Sequence, residues 1–369
     1  MATNELTVEV ARRRPEIEAL RPDWDRLLGR TARPTVFSGW EWTSSWYAAT
    51  GWADPLAVAV HEGSRLVGLA PLRVRRRRLA GVVPYRVVEF AAAGVSEYLD
   101  VLAEAGREEE VLARVAGYFA GPGRGTWDVL RLGELPADSP ALRALGSALE
   151  SVRLRHLRRA GSVCPFLTLE GGWDGYLAGR SKHFRKKLGW TVRRARREFT
   201  VTCEEVTGRE PLHRAFDRMA ALHARQWGEA SPLVRDPRSA AFHHRFIDLA
   251  AASGGPRIVE LRFDGRLVAA QYWLLYGDTL AYYQGGRDPE FDRWSVGMIL
   301  LHEVVAPAAD AGVREVDLLR GGESYKYHWA TDRRRNVDVE AWPRSVRGRL
   351  GELHRRLVRG AGTPEERGT

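Results

Sequence analysis

The chain has 369 residues, of which 44% are hydrophobic and 28% are charged, a composition typical of globular proteins. Its formal net charge is +10 at pH 7, which favours an anionic partner such as a nucleic acid, a phosphate-bearing co-substrate or a membrane surface. No apolar run is long enough for a membrane-spanning helix. The N-terminus shows no apolar stretch after a charged start, so we expect no signal peptide and a cytoplasmic location.

Alternating apolar residues predict strands, and helical spacing predicts helices, throughout the first half of the chain. In order these are a strand at 5–12, a helix at 21–28, a tryptophan-rich segment at 38–51, a hairpin at 55–78, strands at 85–92 and 98–102, a helix at 108–119, a strand at 126–132 and a helix at 141–149. We interpret Trp40, Trp42 and Trp46 as one packed aromatic stripe. Cys164 and Cys203 lie in strand-like stretches without metal-ligand spacing, so we interpret both as structural and expect no metal site.

The middle of the chain carries a strongly basic segment. From Arg180 to Phe199, nine of twenty residues are Lys or Arg, and they are Arg180, Lys182, Arg185, Lys186, Lys187, Arg193, Arg194, Arg196 and Arg197. Phe184, Leu188 and Val192 recur at helical spacing, which predicts an amphipathic helix with an apolar seam and a basic face. The face either binds an anionic partner or is simply solvated.

The second half repeats the order of the first. Helices at 214–226 and 240–251 precede a hairpin and third strand at 256–286, a helix at 296–309 and a strand at 315–319. "EGSRLVGLAPL" is echoed by "DGRLVAAQYWL", and "WDVLRLGELP" by "VREVDLLRGGES". A repeated pattern predicts two similar α/β units, although two amphipathic hairpins can also resemble each other by chance.

Four features in this order resemble the GNAT superfamily, in particular the CelD/BcsL-like acetyltransferases and the related FemAB peptidyltransferases. They are the basic helix "SKHFRKKLGWTVRRARREF", the segment "ALHARQWGEASPL", the hairpin "IVELRFDGRLVAAQYWLLYGDTLAYYQGGRD" followed by "SVGMILLHEVV", and "VDLLRGGESYKYHWA". The resemblance implies tandem duplicated GNAT-like folds, each a mixed, mostly antiparallel sheet flanked by helices. We expect an N-terminal domain at 1–160, an acyltransferase domain at 161–359 and a disordered tail at 360–369.

The resemblance also implies an N-acyltransferase that uses acetyl-coenzyme A or another acyl-coenzyme A, without a metal. Its donor site would be formed by the third strand and the following helix N-terminus, at Tyr283, Gln284, Gly285, Ser295, Val296 and Gly297. Ser295 is a candidate helix cap. The segment "GRDPEFDRWSVGM" departs from the usual pyrophosphate loop, because Val296 stands at the first glycine position and Gly297 follows one residue late.

Ionisable and aromatic residues cluster just past the strand at 315–319. Direct acyl transfer to an amine needs a group that accepts the proton of the amine and a hydrogen-bond donor or positive charge that stabilises the negative charge developing on the carbonyl oxygen. The candidate catalytic residues are Lys326, Tyr325, Glu323, Asp317 and His328. By resemblance a tyrosine here protonates the leaving thiolate, and Lys326 stabilises an oxyanion or a phosphate. Each has a structural alternative: Asp317 can cap or pair with Arg320, and His328 can be a surface residue.

By resemblance, the loop between two helices helps to form the acceptor pocket, and the candidate substrate-binding residues are His223, Arg225, Trp227, Lys182 and Arg185. The expected partner is a small-molecule amine. A FemAB-type transferase that uses aminoacyl-tRNA is the alternative, since tRNA binding is dominated by phosphate contacts. A non-catalytic nucleic-acid-binding protein would explain the charge but not the Tyr-Lys cluster. The sequence leaves the acyl group, the acceptor and the oligomeric state open.

Overall fold

The computed structural model describes residues 5–79 and 82–343. By its contacts the chain divides into two units, Met1–Ser162 with Arg335–Thr369 and Val163–Arg334. The chain therefore returns to the first unit after Arg334, whereas the predicted domains were drawn as continuous stretches. The predicted tail at 360–369 lies outside the described residues.

The strands are β1 (Leu6–Ala11), β2 (Pro55–Glu62), β3 (Arg65–Leu79), β4 (Val83–Phe90), β5 (Leu102–Ala103), β6 (Val129–Pro136), β7 (Arg155–Thr168), β8 (Val201–Val206), β9 (Pro256–Phe263), β10 (Arg266–Tyr276), β11 (Thr279–Arg287), β12 (Glu315–Asp317) and β13 (Asp332–Trp342). The helices are α1 (Arg14–Ala19), α2 (Arg21–Leu28), α3 (Trp40–Ala49), α4 (Glu108–Ala120), α5 (Pro140–Ser151), α6 (Gly172–Ala178), α7 (Lys182–Glu198), α8 (Arg209–Trp227), α9 (Pro232–Arg235), α10 (Pro237–Ala250), α11 (Val296–Asp310) and α12 (Ser324–Trp329).

The sheet of the first unit has the strand order β1-β2-β3-β4-β6-β13, and β5 pairs with β3. β4 and β6 are parallel, and the other neighbours along that order are antiparallel. Side chains of α4 and α5 pack with this sheet in one apolar core. The three tryptophans predicted as a packed stripe are all buried in α3.

The sheet of the second unit has the strand order β7-β12-β11-β10-β9-β8. β11 and β12 are parallel, and the other neighbours are antiparallel. Apolar side chains of α7 and α11 share a core with one face of this sheet, including Trp273. On the other face, Phe216 of α8 contacts Tyr272. The candidate site lies on this second unit.

The two units share an order of elements, which confirms the predicted tandem architecture. In the first unit, β2, β3 and β4 form an antiparallel set, and α4 leads to β6, parallel to β4. In the second, β9, β10 and β11 do the same, and α11 leads to β12, parallel to β11. Each sheet is mixed and mostly antiparallel.

Three local predictions were wrong in detail. The strand expected at 98–102 is reduced to Leu102–Ala103, and the strand expected at 315–319 ends at Asp317. Cys203 lies on β8 with its residue exposed, in contrast to the buried Cys164. β8 is the last strand of its sheet. Cys203 therefore has a neighbouring strand on one side only.

The amphipathic helix predicted in the basic segment is α7. Its buried residues include Phe184, Leu188 and Val192, which confirms the predicted seam. Ser181 caps its start by accepting a hydrogen bond from the Phe184 N–H at 3.1 Å. Across residues 5–79 and 82–343, no helix is long and apolar enough to cross a membrane.

Candidate functional site

The parallel strands β11 and β12 separate partway along their length. They pair only from Thr279–Glu315 to Ala281–Asp317, whereas β11 continues to Arg287 along β10. Beyond Ala281, none of the described strands pairs with the edge of β11 that β12 has left. We call residues 282–287 the open edge of β11. Backbone groups on such an edge are available to a ligand where no side chain of the protein bonds them.

A bulge in β11 separates the two adjacent tyrosines of this strand. Tyr272 pairs with Gln284 and Trp273 with Tyr282, so Tyr283 is the extra residue. The Tyr283 ring contacts His243 at 5.1 Å and Tyr272 at 5.7 Å between ring centroids, on the α8 side of the sheet. Any role of Tyr283 at the open edge would therefore involve its backbone.

Tyr282 lies on the opposite face and meets Tyr325. Their hydroxyls are hydrogen-bonded, and the Gln271 amide also bonds Tyr282. Burial raises the pKa of Tyr282 to about 12, against the opposing effect of both bonds. Burial, followed by the nearby Tyr282 and Glu323, raises the pKa of Tyr325 well above its ordinary value, although 40% of the residue surface is exposed. Both hydroxyls therefore keep their protons at neutral pH and serve as donors.

Gly285 is bonded by two side chains at the open edge. His223 Nδ1–H donates to the Gly285 carbonyl at 2.7 Å, and its Nε2 accepts from the Ser231 hydroxyl at 2.6 Å. Burial lowers the pKa of His223, so the ring is neutral and this tautomer is fixed. The Gly285 N–H donates to Gln284 Oε1 at 3.3 Å. His223, predicted to bind substrate, thus touches the strand predicted to bind the donor.

The first turn of α11 borders the same region. Ser295 precedes the helix in the left-handed conformation, with φ of 53° and no side-chain cap bond, so its predicted side-chain capping is wrong. Val296 is buried. A Cβ added at Gly297 would have no heavy atom within 4 Å, so the space beside this turn is open. Gly297 is not a packing requirement here.

Lys326 is the buried charge of the α12 segment. It is 5% exposed. Its Nζ donates to the Arg320 carbonyl at 2.7 Å and lies 3.3 Å from Glu323 Oε2. Gly321 has φ of 149°, and a Cβ there would meet both the Glu323 carboxylate and Lys326 Nζ. The lysine therefore closes the turn that brings Tyr325 to Tyr282.

Asp317 and His328 occupy different surroundings. Asp317 is buried, accepts the Leu319 N–H at 2.7 Å, and lies 3.4 Å from the Arg334 guanidinium. Its contacts with Leu319 and Arg334 stabilise the end of β12. His328 is exposed, whereas Trp329 is buried and packs edge-on against Phe184 of α7.

Arg225 takes part in an ion cluster at the end of α8. Its guanidinium bonds both oxygens of the fully buried Asp288 at 2.9 and 3.1 Å, and Arg266 also bonds Asp288 at 2.6 Å. Burial would raise the pKa of Asp288, but the Arg266 bond and the Arg225 charge hold it below its ordinary value. The structure gives Arg225 a stabilising role, while the neighbouring Trp227 is exposed.

The basic face of α7 runs between the two ends of the candidate site. At its start, Arg180 donates to the Trp329 and Ala330 carbonyls at 3.1 and 2.6 Å. Near its end, the Arg194 guanidinium lies 4.1 Å from the ring centre of Trp294, directly before α11. Lys182 and Arg185, both predicted to bind substrate, are exposed on the first turn.

The helix of the first unit that corresponds to α11 is α4, and its first turn is acidic. It contains Glu108, Glu109 and Glu110, which add negative charge at the end of the helix that attracts anions. The first turn of α11 has no acidic residue. Of these two corresponding helix starts, that of α11 is therefore the one suited to phosphates. Within the described ranges, no group of three or more His, Cys, Asp or Glu residues could hold a metal ion.

Residues 182–327, which lie within the second unit, match the family described as Acetyltransferase (GNAT) domain. This segment is an acetyltransferase (GNAT) domain, and the protein is an acyltransferase. The resemblance inferred from the sequence motifs is confirmed at this level. No curated protein matches the chain in sequence.

Solved structures share the fold at low identity. FemX matches with a TM-score of 0.66 and 11% identity over 94% of this chain and 99% of that one. L-PGS from Bacillus licheniformis matches with a TM-score of 0.54 and 10% identity, over 92% of this chain and 96% of that one. The C-terminal domain assigned to a lysylphosphatidylglycerol synthetase from Agrobacterium fabrum matches with a TM-score of 0.54 and 10% identity, over 94% of this chain and 96% of that one. Each likeness extends over both units and concerns the fold alone.

Sequence reasoning missed two residues of this site, Tyr282 and Gln271. "LAYYQGG" contains adjacent tyrosines, and regular alternation does not tell which one faces α12. The pairing with β10, unbroken from Thr279 to Tyr282, places Tyr282 opposite Trp273 and sets that choice. Gln271 lies in an apolar strand, and a single polar residue within "VAAQYWLL" is the signal that could have drawn attention to it.

Proposed function

We propose that this protein is an N-acyltransferase that moves an acyl group from an acyl-coenzyme A to the amine of a small-molecule acceptor by direct transfer, in the cytoplasm. The observation that carries the proposal is the open edge of β11 beside the first turn of α11. Backbone groups at such an edge pair with amides of a bound ligand. The helix N-terminus, with open space at Gly297, attracts phosphates.

The reaction requires two proton movements. The amine nitrogen bonds the carbonyl carbon, the carbon–sulfur bond breaks, and the thiolate gains a proton. Tyr325 or Tyr282 would supply that proton, since both hydroxyls are protonated at neutral pH. The amine's proton would pass, through water, to Glu323 or His328, which are both exposed.

Lys326 would act next to the reacting carbonyl. Its ammonium is held by the Arg320 carbonyl and Glu323, so its position is fixed before the donor binds. A preorganised positive charge stabilises a developing oxyanion without reorganisation. Lys326 would also set the turn that carries Tyr325, so we propose both an electrostatic and a positioning role.

A FemAB-type transferase that uses aminoacyl-tRNA is the second candidate, and α7 favours it. Trp190 on this helix is 56% exposed, and Arg194 lies between it and Trp294, at 5.2 and 4.1 Å from the ring centres. Exposed aromatic and guanidinium planes stack on unpaired bases. The lysines and arginines around Trp190 would contact the phosphates of a single strand leading to the site.

Binding of the pure, full-length chain to acetyl-coenzyme A and to aminoacyl-tRNA tests both candidates. We would measure titration calorimetry with the thioester and filter binding with charged and uncharged tRNA, each at two salt concentrations. Saturable micromolar binding of acetyl-coenzyme A, with one site per chain, supports the first proposal. Binding of tRNA that prefers the charged form, without binding of the thioester, supports the second. A chain that binds neither contradicts both.

A further inference from the structure

A buried oxygen without a partner lies on β10, next to β11 and on the face of the sheet that α11 covers. Gln271, on β10, is 4% exposed, and its side-chain Oε1 has no hydrogen-bond partner among the residues that the structure describes. A buried acceptor left without a donor costs about 1–3 kcal/mol. Because buried polar groups are almost always bonded, this atom requires an explanation.

The other end of the same amide is held in place. Gln271 Nε2 donates to the Gly297 carbonyl in the first turn of α11 at 3.4 Å, and the amide also bonds the Tyr282 hydroxyl. An amide nitrogen only donates, and a carbonyl oxygen only accepts. Turning the amide over would set Oε1 against the Gly297 carbonyl, acceptor against acceptor, so Oε1 stays where it is.

Gln271 lies directly across the sheet from Gly285. The two residues pair in the β10–β11 ladder, and a side chain on Gly285 would collide with the Tyr282 hydroxyl. The space beside Gly297 is open. The Gln271 side chain, the Tyr282 hydroxyl and the first turn of α11 therefore lie together beside Gly285.

The Tyr282 hydroxyl has a proton to donate. The Tyr325 hydroxyl and the Gln271 side chain both lie next to it. A hydroxyl accepts through its lone pairs and donates its one proton, so Tyr282 can accept from a neighbour and donate to a ligand.

We infer that Gln271 and Tyr282 form a subsite for an amide-like group of the acyl donor, in which Gln271 Oε1 accepts an N–H and the Tyr282 hydroxyl donates to an oxygen. This inference rests on the proposed function. A plain acetyl group has no N–H, so the chemistry would come from one of two sources. One is an amide of the pantetheine arm, and the other is the α-amine of an aminoacyl group beside its carbonyl.

The test compares wild type with Gln271→Met, which keeps the side-chain length and removes both polar atoms. Four probes form two matched pairs: acetyl-coenzyme A with adenosine 3′,5′-bisphosphate, which lacks the pantetheine arm, and alanyl-tRNA with lactyl-tRNA, in which a hydroxyl replaces the amine. Circular dichroism and thermal unfolding check the fold. If Gln271→Met does not fold, Gln271→Asn, which retracts the oxygen by one carbon, takes its place.

If the arm is the source, the variant binds acetyl-coenzyme A roughly 5- to 100-fold more weakly, and its affinity for the bisphosphate is unchanged. If an aminoacyl group is the source, wild type prefers alanyl- over lactyl-tRNA by a similar factor and the variant loses that preference. Unchanged affinities in a folded variant overturn the subsite alone and assign the Gln271 oxygen to solvent. A wild-type chain that binds none of the probes overturns the proposed function together with this inference.

Discussion

At the scale of single residues, adjacent tyrosines have separate environments. Tyr282 bonds Gln271 and Tyr325, whereas the Tyr283 ring packs against His243 and Tyr272. His243 shows how dry that second environment is, because burial lowers its pKa to about 3. Replacing either tyrosine by phenylalanine removes one hydroxyl, so the two variants can be compared directly.

Tyr282→Phe should lower kcat by about 100-fold, the lower end of the effect of losing a proton donor in the transition state. Tyr283→Phe should leave kcat within about threefold, since its ring lies on the other face. Steady-state kinetics with saturating donor measures both. Equal losses in the two variants would show that the bulge does not select the functional tyrosine.

Lys326→Ala should abolish turnover while the chain stays folded. The substitution removes the buried ammonium and frees the turn from Arg320 to Glu323, which the lysine closes. Ser324→Ala, an exposed change in the same helix, is the matched control and should keep most of the activity. Activity close to wild type in Lys326→Ala, with an intact circular dichroism spectrum, would remove the proposed role.

At the scale of elements, two helix starts with the same place in the order of the fold differ in charge. α4 begins with three glutamates, and α11 begins with an uncharged turn at Gly297. Because the partial positive charge of a helix is concentrated in its first turn, substitutions there separate ligand binding from stability.

Gly297→Ala should raise the free energy of unfolding by up to about 1 kcal/mol, since alanine favours helix and the added methyl meets no atom. The same methyl should weaken the binding of acetyl-coenzyme A, because it occupies the space that the donor needs. Gly117→Ala in α4, also without atoms within 4 Å, is the control and should change stability alone. If both variants bind the donor as wild type does, the donor does not approach α11 at Gly297.

The basic face of α7 should contribute to binding of an anionic partner in a salt-dependent manner. Changing Lys182, Lys186 and Lys187 to Gln should weaken tRNA binding and reduce the slope of log K against log salt by about 2. The matched triple change of Arg76, Arg77 and Arg78 to Gln on β3 removes the same charge from the first unit. Equal effects of the two triple variants would indicate a response to net charge rather than to α7.

At the scale of the whole molecule, the first unit has its own dependence on pH. Asp100 is bonded by the Ser139 hydroxyl and the Val101 N–H, and burial raises its pKa from 3.8 to about 7. The folded state therefore holds the Asp100 proton more tightly than the unfolded state. Stability must fall as pH rises from about 4 through about 7.

Asp100→Asn should remove this loss. Above pH 7 the variant should exceed wild type by roughly 2–4 kcal/mol in free energy of unfolding, whereas at pH 4 the two should be close. Urea unfolding at pH 4, 6 and 8 measures the difference. A constant difference across these pH values would contradict the assignment, and catalytic activity per folded molecule serves as the control.

The sequence by itself determined the strands and helices that the two halves share, the duplication and the seam of α7, but not the long strands β7 and β13. These features follow from local periodicity, because burial of one face selects apolar residues at a spacing of two or near 3.6. The predicted Tyr-Lys cluster also lies beside the open edge, since loops that follow a strand are placed by that strand.

Only the tertiary structure decided which side chains meet there. The pairing of β10 with β11 places Tyr282 opposite Trp273 and leaves Tyr283 as an extra residue, and a pairing register cannot be read from alternation within one strand. His223 and Arg225 bond residues that lie 62 and 63 positions further along the chain. The side chain of Gln271 is positioned by its contacts with β11 and with the first turn of α11. Contacts between residues so distant depend on how the elements pack, which local sequence patterns do not specify.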